Sequence, residues 1–319
     1  MCWKILYSKY YLHIFSYTSS MKRADVKVWF ACNNHCSFCV QWDKRYKFKP
    51  RTLEEIQKII ENEYALWARY IVFTGGEPTV HAQLVEAVAF AKKTWFVQIQ
   101  IQSNGTNFDK MDYVIKLIEA GVTEFSPSIH WFHKETHDTQ VNTQWAWERV
   151  VRWLTNLKKL NQIIIINSVI TKTNYKEIPE LAALLVKLWV TQFQFAFVHI
   201  LWSAAKNKWE VVPKKSDIIP YVHKALDIAK KHNIPAYTEA IPYCFMKWYE
   251  WAIAENVMPE TSVIDAEYKI ESYEEYRWTQ GKAKWPQCSV CVKNTVCEWP
   301  WKEYPEIYGW SEFKPIIAS

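Results

Sequence analysis

The chain has 319 residues, half of them hydrophobic, so it can bury a large core without being held together by disulfides. Its net charge of +6 is mild and its lysines are scattered. This pattern excludes a concentrated basic surface, and we expect no nucleic-acid partner. No apolar run approaches the ~18 residues of a membrane-spanning helix, so we expect no membrane partner either.

The first segment, residues 1–20, is rich in tyrosine and has neither the apolar stretch nor the small-residue cleavage site of a signal peptide. We expect Met21 to be the true start of translation, which makes residues 1–20 an N-terminal extension outside the fold.

Strand and helix patterns alternate from residue 21 to 205, as is typical of a parallel α/β sheet or barrel. The strand DVKVWFA comes first, and Thr52 then caps a helix in which Glu55 completes a capping box. The later segments, in chain order, are residues 69–74, residues 81–93, FVQIQIQ, DKMDYVIKLIEA, EFSPSIH, QWAWERVVRWLTNLKKL, IIIINSVIT, YKEIPELAALLVKL and TQFQFAFVHI. We expect the alternation to stop near residue 206, leaving one helix and a cysteine-bearing tail in residues 206–319.

Three cysteines lie close together after the first strand, in the run CNNHCSFC: Cys32, Cys36 and Cys39. Thiolates hold iron-sulfur clusters, usually four to a cluster, so three in one loop predict a cluster with one iron open to a ligand. The alternative is a structural zinc site. Zinc knuckles commonly start C-x2-C, whereas this run is C-x3-C-x2-C with Phe38 before the last cysteine, which favours the cluster.

A second motif, Gly75-Gly76-Glu77-Pro78, follows the strand RYIVFT. In a parallel barrel both motifs lie at the carboxyl ends of strands, where such folds place their active face. The two glycines expose backbone amides and carbonyls with no side chain in the way, so the turn is suited to holding an amino group of a ligand.

The cysteine loop and the GGEP turn together resemble the radical S-adenosylmethionine (SAM) superfamily. The resemblance implies an α/β fold, a partial (β/α)6 TIM-like barrel forming the radical SAM core in residues 21–205. It also implies that the three loop cysteines are catalytic and hold a 4Fe-4S cluster whose open iron binds SAM. The positions implied to meet the cofactors are Phe38, Gly75, Gly76, Glu77, Pro78, Ser103, Asn104, Ser128 and Asn167.

Each of the polar positions has a simpler interpretation, because polar residues at strand ends often only satisfy backbone groups. His130, His133 and His137 follow the fourth strand with a spacing that suits a metal. We favour ordinary loop histidines at the barrel mouth over a further metal site.

The tail contains a second thiol group, Cys288, Cys291 and Cys297, and Cys244 is the cysteine able to supply a fourth ligand. The region resembles the Twitch or reduced SPASM extension, which implies a small C-terminal domain with one auxiliary 4Fe-4S cluster. A structural zinc knuckle is the alternative. Only Cys2 is left over, and the use of the other cysteines as ligands implies a reducing cytoplasm.

The resemblance implies that SAM is reductively cleaved to a 5′-deoxyadenosyl radical, which abstracts hydrogen from a peptide or small-molecule substrate. A saturated auxiliary cluster implies a net oxidation or maturation step, and the reduction implies an electron donor such as flavodoxin or ferredoxin. The alternative from another class is a non-catalytic iron-sulfur electron carrier or zinc-binding protein. The GGEP motif argues against a carrier, which needs no SAM pocket.

Tryptophan stands where glycine is expected: the chain has 6 glycines and 19 tryptophans, although average usage would give roughly 22 glycines. In the matching junctions LIEAGVTEF and LVKLWVTQF, Gly121 and Trp189 occupy the same place after a helix, where φ is commonly positive. Trp67 and Trp95 lie in similar places. We hypothesise that UGA codons read as glycine in the source were translated as tryptophan, also at Trp42, Trp131 and Trp202, beside the expected SAM pocket. The alternative is a genuinely tryptophan-rich protein.

Overall fold

A single nine-stranded sheet organises residues 21–318, the part of the chain that the computed structural model describes. The predicted extension, residues 1–20, lies outside the described residues, as does Cys2. The strand order is β7-β6-β5-β4-β3-β2-β1-β8-β9. Every neighbouring pair is parallel except β8 with β9, which confirms the predicted α/β fold of a partial barrel.

The strands are β1 (Lys22–Trp29), β2 (Ala68–Gly75), β3 (Gln98–Ser103), β4 (Glu124–Pro127), β5 (Ile163–Ile170), β6 (Gln192–Phe197), β7 (Ala236–Glu239), β8 (Thr261–Ile264) and β9 (Lys269–Ile270). The helices are α1 (Leu53–Ala65), α2 (Leu84–Lys93), α3 (Met111–Ala120), α4 (Lys134–Val141), α5 (Ala146–Lys159), α6 (Ile178–Lys187), α7 (Trp202–Lys206), α8 (Lys208–Val211), α9 (Lys215–Lys231), α10 (Tyr273–Tyr276) and α11 (Tyr304–Tyr308).

The expectation that the alternation ends near residue 206 is wrong. Helix α9 is followed by β7, which pairs in parallel with β6, and the chain then crosses to the other edge, where β8 pairs with β1. Arg23 on β1 donates to the Thr261 hydroxyl on β8 at 3.2 Å. The C-terminal third thus adds strands at both edges of the sheet.

Alternation along several strands separates the face that lines the barrel interior from the face that packs under the helices. On β3, the sequence QIQIQS buries Ile99 and Ile101 under the helices, while its glutamines face the other side. Because side chains of a strand point alternately to the two faces, one sequence pattern builds both surfaces. The core lies between the sheet and α1, α2, α3, α5, α6 and α9.

The predicted capping box at the start of α1 is confirmed. The Thr52 hydroxyl accepts from the Glu55 amide at 3.2 Å, and the Glu55 carboxylate accepts from the Thr52 amide at 2.7 Å. Helix α1 is therefore fixed at its N-terminus.

The backbone at seven tryptophans lies in the left-handed region that favours glycine. The expected positive φ is confirmed at Trp67, Trp95 and Trp189, with values of 69°, 70° and 56°. The same holds at Trp145, Trp202, Trp248 and Trp299. Trp42 and Trp131 are not among the residues with positive φ, so the conformational argument does not extend to them.

No helix within residues 21–318 combines the length and the apolar character that crossing a membrane requires.

Candidate functional site

One cavity of about 690 Å³ runs through the barrel interior to the carboxyl ends of the strands. Both predicted motifs reach it. The sequence-predicted residues that line it are Cys32, Cys36, Phe38, Cys39, Gly75, Gly76, Ser103, Asn104, Ser128 and Asn167. Glu77 and Pro78 are buried and do not appear in this lining.

Backbone amides point at two of the three loop sulfurs. Cys32 Sγ accepts from the Asn34 amide at 3.4 Å, and Cys39 Sγ accepts from the Gln41 amide at 3.4 Å. Burial raises the pKa of all three thiols, most strongly at Cys36, and the negative charge of neighbouring thiolates adds to the increase at Cys36. The amides oppose this increase at Cys32 and Cys39, because they favour the thiolate.

Arg45 is a site residue that sequence reasoning missed. Its guanidinium donates to the carbonyls of Cys32, at 2.9 Å, and of Asn34. The side chain is only 5% exposed, and its Nη1 is buried without a hydrogen-bond partner. Its charge lowers the pKa of all three loop thiols. The available signal was the basic pair Lys44-Arg45 just after the cysteines.

The two glycines of the GGEP turn are required by close backbone packing. A Cβ on Gly75, where φ is +134°, would lie 1.9 Å from the Trp29 carbonyl oxygen, and one on Gly76 would lie 2.3 Å from that of Phe30. The Gly76 amide donates to the Trp29 carbonyl at 2.9 Å. The turn is thus held directly against the segment that enters the cysteine loop.

Glu77 joins the ends of β2 and β3. Its carboxylate accepts from the Ser103 hydroxyl at 2.7 Å, the Asn104 amide at 2.6 Å, and the Thr79 amide at 3.0 Å and hydroxyl at 2.5 Å. Burial raises the pKa of Glu77, against the effect of these donors. Glu77 therefore holds Ser103 and Asn104, two residues of the cavity wall, without lining the cavity itself. The motif alone did not indicate this role.

Asn104 extends this connection to the cysteine loop. Its side-chain amide donates to Asn33 Oδ1 at 2.7 Å and lies 3.5 Å from Cys32 Sγ. On the other side of the cavity, Ser128 and Asn167 face each other in an isolated bridge between β4 and β5. The Asn167 Oδ1 atom is buried without a partner.

The histidines after β4 separate in the structure. His130 and His137 line the cavity, whereas His133 is exposed at the start of α4. His130 Nδ1 accepts from the Val169 amide at 3.0 Å, and its ring packs edge-on against Phe38. Burial lowers the pKa of His130 well below its usual range and that of His137 to about 3.

The tryptophans predicted beside the pocket differ in their placement. Trp202 lines the cavity, with its φ of 44°. Trp131 is fully buried behind the cavity wall against Phe38, and its ring nitrogen has no hydrogen-bond partner. Trp42 stacks on the Arg45 guanidinium at 4.9 Å.

The tail cysteines meet in a second, largely apolar pocket. Cys244 arrives from the loop after β7, and it lines this pocket together with Cys288, Cys291 and Cys297. The aromatic residues that enclose the four thiols are Tyr243, Trp285, Trp299, Trp310 and Phe313. Burial raises the pKa of Cys244 to about 12, and the charges of the other three thiolates contribute to the increase. Cys244 thus lies beside the three tail cysteines, as its predicted role of fourth ligand requires.

Backbone amides also reach this second thiol group: the Ile316 amide donates to Cys291 Sγ at 3.3 Å. Within the described residues, no three His, Cys, Asp or Glu side chains are gathered in a way that would hold a single metal ion. A four-iron cluster differs from a single ion because each thiolate binds a different iron.

The model of the "Radical SAM superfamily" matches residues 26–185. Among curated proteins, the chain is 29% identical over 185 residues to GTP 3′,8-cyclase of Aquifex aeolicus, with 56% of each protein covered. It is 26% identical to Fe-coproporphyrin III synthase of Methanosarcina barkeri, covering 56% of this chain and 43% of the relative. The chain thus spans about half the length of these relatives.

Solved structures share the fold at low sequence identity. SuiB of Streptococcus suis bound to S-adenosylmethionine matches with a TM-score of 0.64 at 13% identity, covering 88% of this chain and 72% of SuiB. The structure of anSMEcpe with bound AdoMet and the Kp18Cys peptide matches with a TM-score of 0.55 at 15% identity, covering 67% of this chain and 63% of that protein. The family model covers half of the sequence, including the cysteine loop and the GGEP turn, and the chain therefore belongs to the radical SAM superfamily.

Proposed function

We propose that this protein reductively cleaves S-adenosylmethionine and uses the resulting radical to abstract hydrogen from a peptide or small molecule. The observation that carries the proposal is that the three thiols of one loop and the glycines of the GGEP turn line the same cavity.

The residues present fit a 4Fe-4S cluster and SAM. Three thiols are the donor set for a cluster with one open iron. Four residues that line the cavity also have buried polar atoms without hydrogen-bond partners, which polar groups of a bound ligand would satisfy. These residues are Asn34, Gln41, Arg45 and Asn167.

When bound, this cluster would supply the electron that splits SAM into methionine and the 5′-deoxyadenosyl radical. The protein's part is to bind, orient and exclude water. The turn at Gly75 and Gly76 lines the cavity and would receive the methionine end, although the Gly76 amide is already bound to the Trp29 carbonyl. Ser128, just after β4, and Asn167, on the neighbouring strand β5, would contact the ribose. The aromatic ring of Phe38 closes one wall.

The loop thiols must lose their protons before the site can assemble, because thiolates, not thiols, are the metal ligands. Burial opposes that loss, while Arg45 and the amides of Asn34 and Gln41 favour it. We infer that Arg45 stabilises the anionic loop and that its two bonds to backbone carbonyls hold the loop in shape.

For the second thiol group we propose one auxiliary 4Fe-4S cluster held by Cys244, Cys288, Cys291 and Cys297. Four thiols around one apolar pocket would saturate such a cluster, leaving no iron for substrate. Its task would then be to accept the electron that remains after hydrogen abstraction, so the net reaction would be an oxidation or maturation step.

The similar proteins act on two classes of substrate. SuiB is described bound to a precursor peptide and anSMEcpe bound to a peptide, whereas the curated relatives are named for small-molecule reactions. We propose a peptide or small-molecule substrate, and a flavodoxin or ferredoxin as electron donor. A non-catalytic carrier is the second candidate, but a carrier has no use for a cavity of about 690 Å³ beside its thiols.

The proposal is tested by anaerobic reconstitution with iron and sulfide, followed by incubation with SAM and dithionite. We expect 5′-deoxyadenosine and methionine to accumulate. In Cys36→Ala the product should fall to background, because two remaining thiols cannot hold the cluster. His35→Ala is the matched control, since this neighbouring side chain is exposed. Cleavage that persists in Cys36→Ala would overturn the assignment, and its absence from intact, iron-loaded protein would favour the carrier.

A further inference from the structure

Glutamines line two stretches of the interior of this partial barrel, among apolar residues such as Ile71, Ile165 and Val169, whereas a closed (β/α)8 barrel usually fills its interior with branched apolar side chains. The strands QIQIQS and QFQFAF turn their apolar residues outward and present glutamines to the cavity. The glutamines that line it are Gln98, Gln100 and Gln102 from β3 and Gln192 and Gln194 from β6.

Three carboxylates also line this cavity: Asp25, which pairs with Lys27, and the two carboxylates Glu124 and Glu239. Glu124, the first residue of β4, is only 7% exposed, and its Oε2 accepts from the Gln100 side-chain amide at 2.9 Å. Glu239, the last residue of β7, accepts from the Gln194 side-chain amide at 2.7 Å. Among residues 21–318, neither Glu124 nor Glu239 has a cationic partner within ion-pair distance. Burial raises the pKa of both, as expected for carboxylates without such a partner.

The nearby cations are bound to other groups or offset. Lys27 pairs with Asp25 at 3.3 Å on the same strand. Lys282 pairs with Glu255 at 2.8 Å and with Glu298 at 3.0 Å, and Arg277 pairs with Glu298 at 2.6 Å. Arg23 faces the same space and donates through Nε to Thr261. One guanidinium against two carboxylates leaves this part of the cavity one negative charge in excess.

Arg23 is one cation shared by two carboxylates, so one buried negative charge is left without a cation of its own. Such a charge is costly, and a cation that enters with a ligand would offset the cost. We propose that Glu124 and Glu239 form the recognition site for a positively charged amine or guanidinium group of the substrate, with the glutamines binding its neutral polar groups. The inference rests on the proposed function, which makes this cavity the substrate chamber. The cation can belong to a small molecule or to a Lys or Arg side chain of a peptide.

The test compares matched probes on the reconstituted, SAM-bound protein. Agmatine serves as the free cation and glutarate as the anion. The peptides Gly-Gly-Lys-Gly-Gly and Gly-Gly-norleucine-Gly-Gly differ only in the charged group. Binding is measured by isothermal titration. We expect one of the cationic probes to bind at least tenfold more tightly than its uncharged or anionic counterpart. Agmatine alone would indicate a small molecule, and the lysine peptide a peptide substrate.

The variant for this test is Glu124→Gln/Glu239→Gln, which keeps side-chain shape and removes both charges. It should lose at least tenfold in affinity for the cation, while Glu61→Gln, on the exposed face of α1, should match the wild type. Equal binding of cation and anion, or an unchanged affinity in the double variant, would overturn the inference. If the double variant does not fold, the comparison of probes on the wild type decides.

SAM cleavage is measured in parallel, without any probe, so that the two proposals can fail separately. If SAM is cleaved but the cationic probes bind no more tightly than the others, only the proposed recognition site is refuted. If the cationic probes bind more tightly but SAM is not cleaved, the proposed function is refuted and the cation-binding site is still supported.

Discussion

Glu77 Oε2 accepts a 2.6 Å hydrogen bond from the backbone amide of Asn104, which connects the turn after β2 to the turn after β3. Asn104 in turn binds Asn33 in the cysteine loop. The acidic residue of the GGEP motif is therefore coupled to the cysteine loop through one intermediate residue, without lining the cavity itself.

Replacing Glu77 with Gln should weaken SAM binding while the loop cluster still assembles. The amide nitrogen of Gln cannot accept the Asn104 bond, and a lost hydrogen bond to a charged group costs about 1.5–3 kcal/mol. We expect an increase in the SAM dissociation constant of about tenfold to a hundredfold, measured by equilibrium dialysis. Asp112→Asn on α3 serves as the control. Affinity within twofold of the wild type would show that Glu77 does not shape the pocket.

The iron content of the protein should show whether the second thiol group holds an iron-sulfur cluster. Reconstituted protein should contain about eight irons, and Cys288→Ala/Cys291→Ala about four, because each 4Fe-4S cluster contributes four. Cys244→Ala should weaken or remove the same four irons. Ser289→Ala is the matched control, since Ser289 is exposed between two of the cysteines. Zinc in place of iron in the tail would contradict the auxiliary cluster.

Replacing tryptophan with glycine should stabilise the folded protein at positions where the backbone is left-handed. Trp67, Trp95 and Trp189 are 74%, 76% and 71% exposed, so their indoles contribute little packing, whereas positive φ costs a bulky residue about 1–2 kcal/mol. The triple change to glycine should raise the midpoint of denaturant unfolding. Trp209→Gly, at an exposed residue outside the positive-φ set, should not raise it. An equal effect in both proteins would mean that exposure alone is responsible.

Peptide mass spectrometry of protein from the native source should find glycine at the same three positions. We also expect it at Trp145, Trp202, Trp248 and Trp299, which share the left-handed backbone. Seven such strains would consume much of the ~5–15 kcal/mol by which a domain is stable. Tryptophan in the native peptides at these sites would refute the UGA hypothesis.

Acid should destabilise the fold through its buried histidines. The folded-state pKa of His137 is lowered by burial to about 3, against 6.5 in the unfolded chain. Its stabilising contribution is complete above pH 6.5 and is lost as pH falls toward 3. At pH 5 the loss amounts to about 2 kcal/mol.

The measurement is the free energy of urea unfolding at pH 7.5 and pH 5.0. The decrease should shrink in His137→Gln, while His232→Gln, at an exposed position, should behave like the wild type. The same dependence in all three proteins would assign the acid sensitivity to other groups.

Local chemistry made much of this protein predictable. The alternation of strands and helices follows from periodicity. The cysteine loop, the GGEP turn and the cap at Thr52 are readable because each depends on residues close together in the chain. The left-handed backbone at Trp67, Trp95 and Trp189 was predictable for the same reason, since the end of a helix imposes it locally.

Other features depend on contacts between residues far apart in sequence, and only the tertiary structure decided them. Strand β8 pairs with β1, although more than two hundred residues separate them. The C-terminal third of the chain therefore adds strands to the sheet, which the sequence pattern did not predict. Arg45 and Glu77 acquire their roles from the backbone groups they reach. Glu124 and Glu239 come to one cavity only because strands far apart in the sequence join in one sheet. Hydrogen-bond partners and burial come from packing, which local pattern does not specify.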